Sequence, residues 1–196
     1  MLNAVARELR EVFEGLLGKL PGRSGRLVRR LYYRARFASC GPTVSIGEHP
    51  EVACPENIRV GDRVYADRGL VLRACGGGAV VIGDDVTVNG NVRIIADGGR
   101  IEIGSKVMIG PNVVMRPTDH GFERSDLPIK EQHNTVGEVV IGSDVWIAAN
   151  VVLLRGARVG DHAVVGAGSV VNSEIPEWAI AAGVPARVIR YRDRPT

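Results

Sequence analysis

The sequence predicts a mainly β protein, a parallel β-helix of six-residue repeats preceded by a helical segment. Three observations carry this. Between Val139 and Val171 an apolar residue recurs at every sixth position: Ile141, Ile147, Leu153, Val159, Val165 and Val171. Two residues before each lies a second column, Val139, Val145, Val151, Ala157, Ala163 and Ser169, which becomes smaller along the chain. Three residues after the anchors stand Asp144, Asn150, Gly156, His162 and Gly168, types that tolerate positive φ and so mark a bend at the same spacing. A helix needs a period near 3.6 and a hairpin strand alternates without a fixed bend, so neither accounts for all three columns. Short flat strands wound into a three-sided prism do.

Composition agrees. A chain of 196 residues, 45% of them hydrophobic, can bury one substantial core. Only 5% are aromatic, as suits an interior of stacked aliphatic side chains, and 25 glycines suit frequent bends. Cys40, Cys54 and Cys75 are odd in number and lack paired or metal-ligand spacing, so free thiols in a reducing compartment are expected. No apolar run approaches membrane-spanning length and no signal-peptide pattern opens the chain, which predicts a cytoplasmic protein. Charge is uneven: residues 1–40 hold eight Arg and one Lys against three Glu, a local +6, and the remainder carries −3. No nucleic-acid partner is expected.

Taken in order, residues 2–20 place Leu2, Val5, Leu9, Val12, Phe13, Leu16, Leu17 and Leu20 on one helical face, ended by Pro21-Gly22. A second segment carries Arg23, Arg26, Arg29, Arg30, Arg34 and Arg36. Residues 1–40 thus form an N-terminal helical segment. Two roles fit residues 1–36: covering the open end of the prism, or lying on an anionic membrane surface. The β-helix domain is expected over 41–192. Its register restarts at Ile46-Gly47, Val60-Gly61, Ile82-Gly83 and Ile103-Gly104, with turn residues at Asp85, Asn91, Asp97 and Asn112. Ile103 to Ile141 reads as two coils plus two residues, interrupted by a polar loop protruding over 117–138, and a closing segment follows at 175–192. Residues just before the anchors should face outward. These put Trp146 and Val164 on one side and Val152 and Val170 on another, with Met108 and Val114 before them. Apolar stripes on two sides predict self-association as a closed ring of three.

The run IGSDVWIAANVVLLRGARVGDHAVVGAGSVV, the Ile175-Pro176 pair and AAGVPARVIR at 181–190 resemble the hexapeptide acyltransferases, specifically the sugar O-acetyltransferase branch. That branch includes maltose and galactoside acetyltransferases and the acetyltransferases of surface-polysaccharide clusters. RPTDHGF at 116–122 is similar to the family's catalytic histidine loop. The resemblance implies a left-handed parallel β-helix, a homotrimer with sites between neighbouring prisms, and direct transfer of acetyl from acetyl-CoA to a hydroxyl of a cell-surface polysaccharide sugar or its lipid-linked precursor. No metal is expected. A thioester is already activated, so the reaction needs only a base for the acceptor and a donor for the oxyanion.

His120 is the residue this resemblance assigns as base; His49 and His162 fall in the bend column, and His133 is a second histidine in the same loop. The resemblance further implies acceptor binding by Asn89 and Asp97, and the main-chain N–H of Ala149 as oxyanion donor. Trp146 and Ala167 would line the pantetheine arm, with Arg187 and Arg190 near the CoA phosphates. Before the Ile-Pro pair, where relatives have Thr-Lys, this chain has Asn172 and Ser173, which are expected to bind the cofactor in their place, with one phosphate contact absent or supplied by Arg155 or Arg192. Ala148 replaces a common glycine. Two other readings use the same scaffold: N-acetylation of a nucleotide-linked amino sugar, and a non-catalytic or carbonic-anhydrase-like hexapeptide protein. The zinc chemistry of the latter needs three well-placed histidines, and the bend positions of His49 and His162 argue against it.

Overall fold

The six-residue rhythm folds as three parallel sheets around one interior. The structure, a computed structural model, describes residues 2–193. Sheet A holds the strands at 39–40, 58–60, 79–82, 100–103, 138–141, 158–159 and 174–175. Sheet B holds 45–46, 65–66, 87–88, 108–109, 146–147, 164–165 and 179–183, with 186–191 returning antiparallel as its last strand. Sheet C holds 51–53, 71–73, 93–95, 114–115, 152–153 and 170–171. Anchor stacks on anchor: Ile82, Ile103 and Ile141 are in register in sheet A, Ile109 and Ile147 in sheet B, Met115 and Leu153 in sheet C. All are buried and belong to one continuous core. A one-residue slip would turn every anchor outward, so the core pattern fixes the register.

The pairing corrects one interval. Ile103 pairs directly with Ile141, so a single coil separates them and about twenty further residues leave the prism as an arm. The arm's limbs join as an antiparallel pair, Thr118–Asp119 with Thr135–Val136. Its base is tied down by Thr118 Oγ1 donating to the Asp97 carbonyl at 2.9 Å and by Gly137 N–H donating to the Pro117 carbonyl at 2.9 Å.

The cysteines require a second correction. Cys54 and Cys75 are joined as a disulfide, with Cα atoms 5.3 Å apart, and Cys40 alone is free. A separation of 21 residues is close to one coil, so the solenoid stacks the two at one corner. That proximity is invisible to spacing rules made for other folds. Burial raises the pKa of the Cys40 thiol.

Helix α1 spans Leu2–Lys19 and helix α2 spans Gly22–Arg34. α2 covers the open end: Gly25, Arg29 and Tyr33 are its buried face, and the rings of Tyr33 and Phe37 stack at 5.7 Å within the prism's own core. Burial pushes the Tyr33 hydroxyl far up, so it stays neutral. Arg29 is fully buried. Its Nε donates to the Ile46 carbonyl at 2.9 Å, and Nη1 donates to the carbonyls of Leu17 and Leu20 at 3.1 and 2.7 Å. One guanidinium therefore satisfies the last turn of α1 and fastens it to the first coils. Gly25 must be glycine, since a Cβ there would lie 2.1 Å from the Leu20 oxygen.

Candidate active site

Each coil turns at three corners, and the site residues sort by corner. At the A–B corner, between sheets A and B, positive φ falls on Arg63, Asp85, Lys106, Asp144, His162 and Trp178. At the B–C corner it falls on His49, Gly69, Asn91, Asn112, Asn150 and Gly168. His49 and His162 thus occupy bends as expected, whereas Asp97 does not: the positive φ there belongs to Gly98.

The residue one place before each bend decides where a main-chain N–H goes. At the A–B corner these residues form a ladder. The N–H groups of Asp62, Asp84, Ser105 and Ser143 each donate to the side chain one coil on, respectively Asp84, Ser105, Ser143 and Asp161, at 2.6–3.2 Å, and Thr43 N–H at the start of the corner donates to Asp62 Oδ1 at 2.9 Å. At the B–C corner the corresponding residues are Glu48, Arg68, Gly90, Pro111, Ala149 and Ala167. Ala149 and Ala167 have no side-chain oxygen, and their N–H groups find no acceptor among the described residues. The two alanines are stacked, because Gly168 N–H donates to the Ala149 carbonyl at 2.9 Å. The corner thus presents free, rigidly held donors, which is what a developing oxyanion requires.

Other residues singled out from the sequence lie along this corner and its sheet. Trp146 is 52% exposed on the outer side of sheet B, in register with Met108 and Val164. Asn89 donates Nδ2–H to the Ile109 carbonyl at 2.9 Å, which leaves its Oδ1 free to accept. Arg187 lies opposite Ala182 on the returning strand and Arg190 opposite Ile180; both are exposed and have no carboxylate partner among the described residues. The edge therefore combines free N–H donors with cationic charge, as a thioester with an anionic tail would require.

The other predicted residues, Arg192 at the A–B corner excepted, lie at the C–A corner. His120 is exposed on the arm and makes no hydrogen bond to a described residue. Asp119, just before it, is held by Arg155 Nε at 2.7 Å. Gly121, just after it, lets the limbs meet, since a Cβ would come within 2.4 Å of the His133 oxygen. His133 is exposed on the opposite limb. Asn172 and Ser173 are exposed at this same corner, away from Ala149. Asp97 accepts from the Cys75 N–H through Oδ1 at 3.0 Å and pairs with Arg73 through Oδ2 at 3.1 Å, so it fastens the corner. Arg155 and Arg192 are likewise engaged: Arg192 donates to the His162 carbonyl at 2.7 Å and covers the Trp178 ring. Asp144 lies 2.9 Å from His162 Nδ1, and that hydrogen bond, helped by Arg192, holds its carboxyl below the usual range.

Sheet C separates the two groups. Six residues lead from Ala149 to Arg155, roughly 15–20 Å for extended chain, while proton transfer needs contact near 3 Å. Sequence reasoning missed the Ser/Asp ladder and the Arg155–Asp119 pair. The ladder had a signal, the hydroxyl or carboxylate after successive Val-Gly and Ile-Gly steps at Asp62, Asp84, Ser105, Ser143 and Asp161. The ion pair had none, because it joins an insertion to a coil 36 residues away.

A prism of stacked six-residue strands, with unsatisfied main-chain donors along one corner and a histidine-bearing arm on another, defines a parallel β-helix of hexapeptide repeats. The family of bacterial hexapeptide transferases (six repeats) matches residues 138–173. The chain is 36% identical over 147 residues to the "Putative lipopolysaccharide biosynthesis O-acetyl transferase WbbJ" of Escherichia coli K12, covering 71% of this chain and 74% of that protein. It is 39% identical over 119 residues to the galactoside O-acetyltransferase of the same strain, covering 58% of this chain but only 55% of that enzyme's length. Among solved structures, AntD, an N-acyltransferase from Bacillus cereus in complex with dTDP-4-amino-4,6-dideoxyglucose and coenzyme A, superimposes with a TM-score of 0.75. It covers 85% of this chain and 89% of that one at 23% identity, which speaks for the fold. The chain belongs to the hexapeptide-repeat transferases.

Proposed function

We propose that this enzyme transfers an acetyl group from acetyl-CoA to a sugar hydroxyl in the building of a cell-surface polysaccharide, working as a homotrimer with each site shared by two chains. The observation that carries this reading is the separation of His120 from the free N–H groups of Ala149 and Ala167 by the width of sheet C. Neither corner is sufficient alone. A second copy docked through the outward apolar columns, Met108–Trp146–Val164 or Val114–Val152–Val170, would set one chain's arm against the other's B–C corner. The relatives named for O-acetyl transfer to galactosides and in lipopolysaccharide synthesis support a hydroxyl acceptor.

In this reading the acceptor hydroxyl, oriented in part by Asn89 Oδ1, attacks the thioester carbonyl while His120 takes its proton. The Ala149 N–H receives the oxyanion. Collapse breaks the carbon–sulfur bond, and the imidazolium returns the proton to the departing thiolate. Arg187 and Arg190 hold the CoA phosphates. His120→Ala should lower turnover about 100- to 10,000-fold while leaving acetyl-CoA affinity within about twofold, measured by thiol release over a sugar panel and by calorimetry. Full turnover by His120→Ala, or release only with aminosugar nucleotides, would overturn the assignment in favour of N-acetylation.

A further inference from the structure

The two helices cap the prism with one side and leave the other apolar. On α1, Leu9 and Leu16 are 65% and 61% exposed, and Val5, Val12 and, just past its end, Leu20 are exposed with them. At about 100° per residue they point away from Gly18, which rests against His49 and Pro50 of the first coil. On α2, Leu27 and Leu31 are exposed at 46% and 58%, on the side opposite the buried Arg29 and Tyr33. The face is held in this orientation. Arg29 fixes the last turn of α1, Phe13 packs on Tyr32 with ring centroids 5.4 Å apart, and Glu14 pairs with Arg36.

Cations flank this surface. Arg23 and Arg30 are one turn either side of Leu27, and Arg34 is one turn beyond Leu31. None of the three has a partner among the described residues. Arg26, on the prism side, is by contrast fully engaged with Ser45, Tyr65 and Asp67. Neither helix is long and apolar enough to cross a membrane. A wide apolar face bordered by unpaired arginines, on helices that lie flat across the end of a rigid body, matches the interface of an anionic bilayer. A second copy would bring the same arginines to the seam.

We propose that the α1–α2 hairpin docks the protein on anionic lipid, with the leucines in the acyl boundary and Arg23, Arg30 and Arg34 among the headgroups. The N-terminal end of the prism then faces the membrane, while Arg187 and the free amides, several coils away, stay open to a soluble donor. The inference does not depend on the acceptor assigned above. The test is sedimentation of the full chain with vesicles of phosphatidylcholine alone or with about 30 mol% phosphatidylglycerol. Two variants accompany it, Leu27→Ser with Leu31→Ser, and Arg23→Gln with Arg30→Gln and Arg34→Gln, each checked for an unchanged melting curve and thiol-release rate. Binding to the anionic vesicles should fall at least about tenfold in either variant, and the parent should bind the neutral ones at least about tenfold more weakly. No binding to anionic vesicles, or binding that neither variant weakens, overturns the proposal. So does self-association that the leucine variant abolishes, which would assign the face to a second copy.

Discussion

The A–B and B–C corners are built from the same backbone turn and differ in one atom type. At both, the N–H of the positive-φ residue donates to a carbonyl one coil back, as with His162 to Ser143 and Gly168 to Ala149. At both, the preceding N–H points off the stack. The A–B corner answers it with a Ser or Asp oxygen from the next coil; the B–C corner offers alanine, glycine or proline in its last coils. Main-chain donors are normally paired, so leaving them open on one edge and closing them on the other makes two edges of one turn chemically distinct, and the proposed reaction uses the open one. In a repeat fold every coil inherits the same turn, and the edges come to differ where a coil omits the repair.

The strongest test makes the open corner resemble the closed one. Ala167 stands eighteen residues after Ala149, as Asp161 does after Ser143. Ala167→Ser should place a hydroxyl on the Ala149 N–H, lower turnover about 100-fold and leave stability equal or slightly raised. Ala167→Val adds bulk without an acceptor and should chiefly raise KM for acetyl-CoA. Equal kinetics for both would mean that size alone matters there, and the comparison between corners would fail.

A smaller effect is expected at the third corner, where the arm is anchored. Arg155→Ala frees Asp119, so His120 loses a fixed neighbour while keeping its chemistry. Turnover should fall about tenfold, with KM for both substrates nearly constant, as expected of a positioning residue. Arg155→Lys should restore part of the rate. A fall in acetyl-CoA affinity would instead make Arg155 a donor contact.

The counterpart at the closed corner should touch stability only. Asp161→Ala removes the acceptor of the Ser143 N–H, an exposed bond at 2.6 Å that water replaces in part, so a loss of about 0.5–1 kcal/mol is expected in denaturant melts. Thiol release should be unchanged. A loss of activity without a loss of stability would remove the distinction between the two edges.

How much of this was legible follows from how local each cause is. The anchors, bends and outward stripes obey a period of six, so Ile141, Asn150 and Trp146 declared their places directly. Bend identity was less readable, since the coil forces positive φ on Arg63, Lys106 and Trp178, which no residue preference would select. The arm broke the count between Ile103 and Ile141, because an insertion can be distinguished from an irregular coil only by the pairing that spans it. The disulfide and the Arg155–Asp119 pair depend on that same stacking across coils. Of the site, the resemblance supplied residues, and the geometry divided them between two corners.

The closed corner also makes the smallest prediction, in pH. Asp144, at the bend one coil before His162, faces His162 Nδ1 and Arg192 Nη1, and Trp178 stacks on His162 with ring centroids 4.1 Å apart, so the carboxylate helps hold the last coil. The hydrogen bond to His162 depresses its pKa below the usual value of about 3.9. A depressed carboxylate contributes stability that is fully present above the unfolded pKa and is lost as pH falls through the folded one. The group is half exposed, so solvent screening limits the contribution to a few tenths of a kcal/mol. Asp144→Asn should therefore melt slightly below the parent from about pH 5 to 7, and the gap should close below about pH 4. A gap that persists unchanged to about pH 3 would mean that Asp144 acts through packing of the bend rather than through its charge.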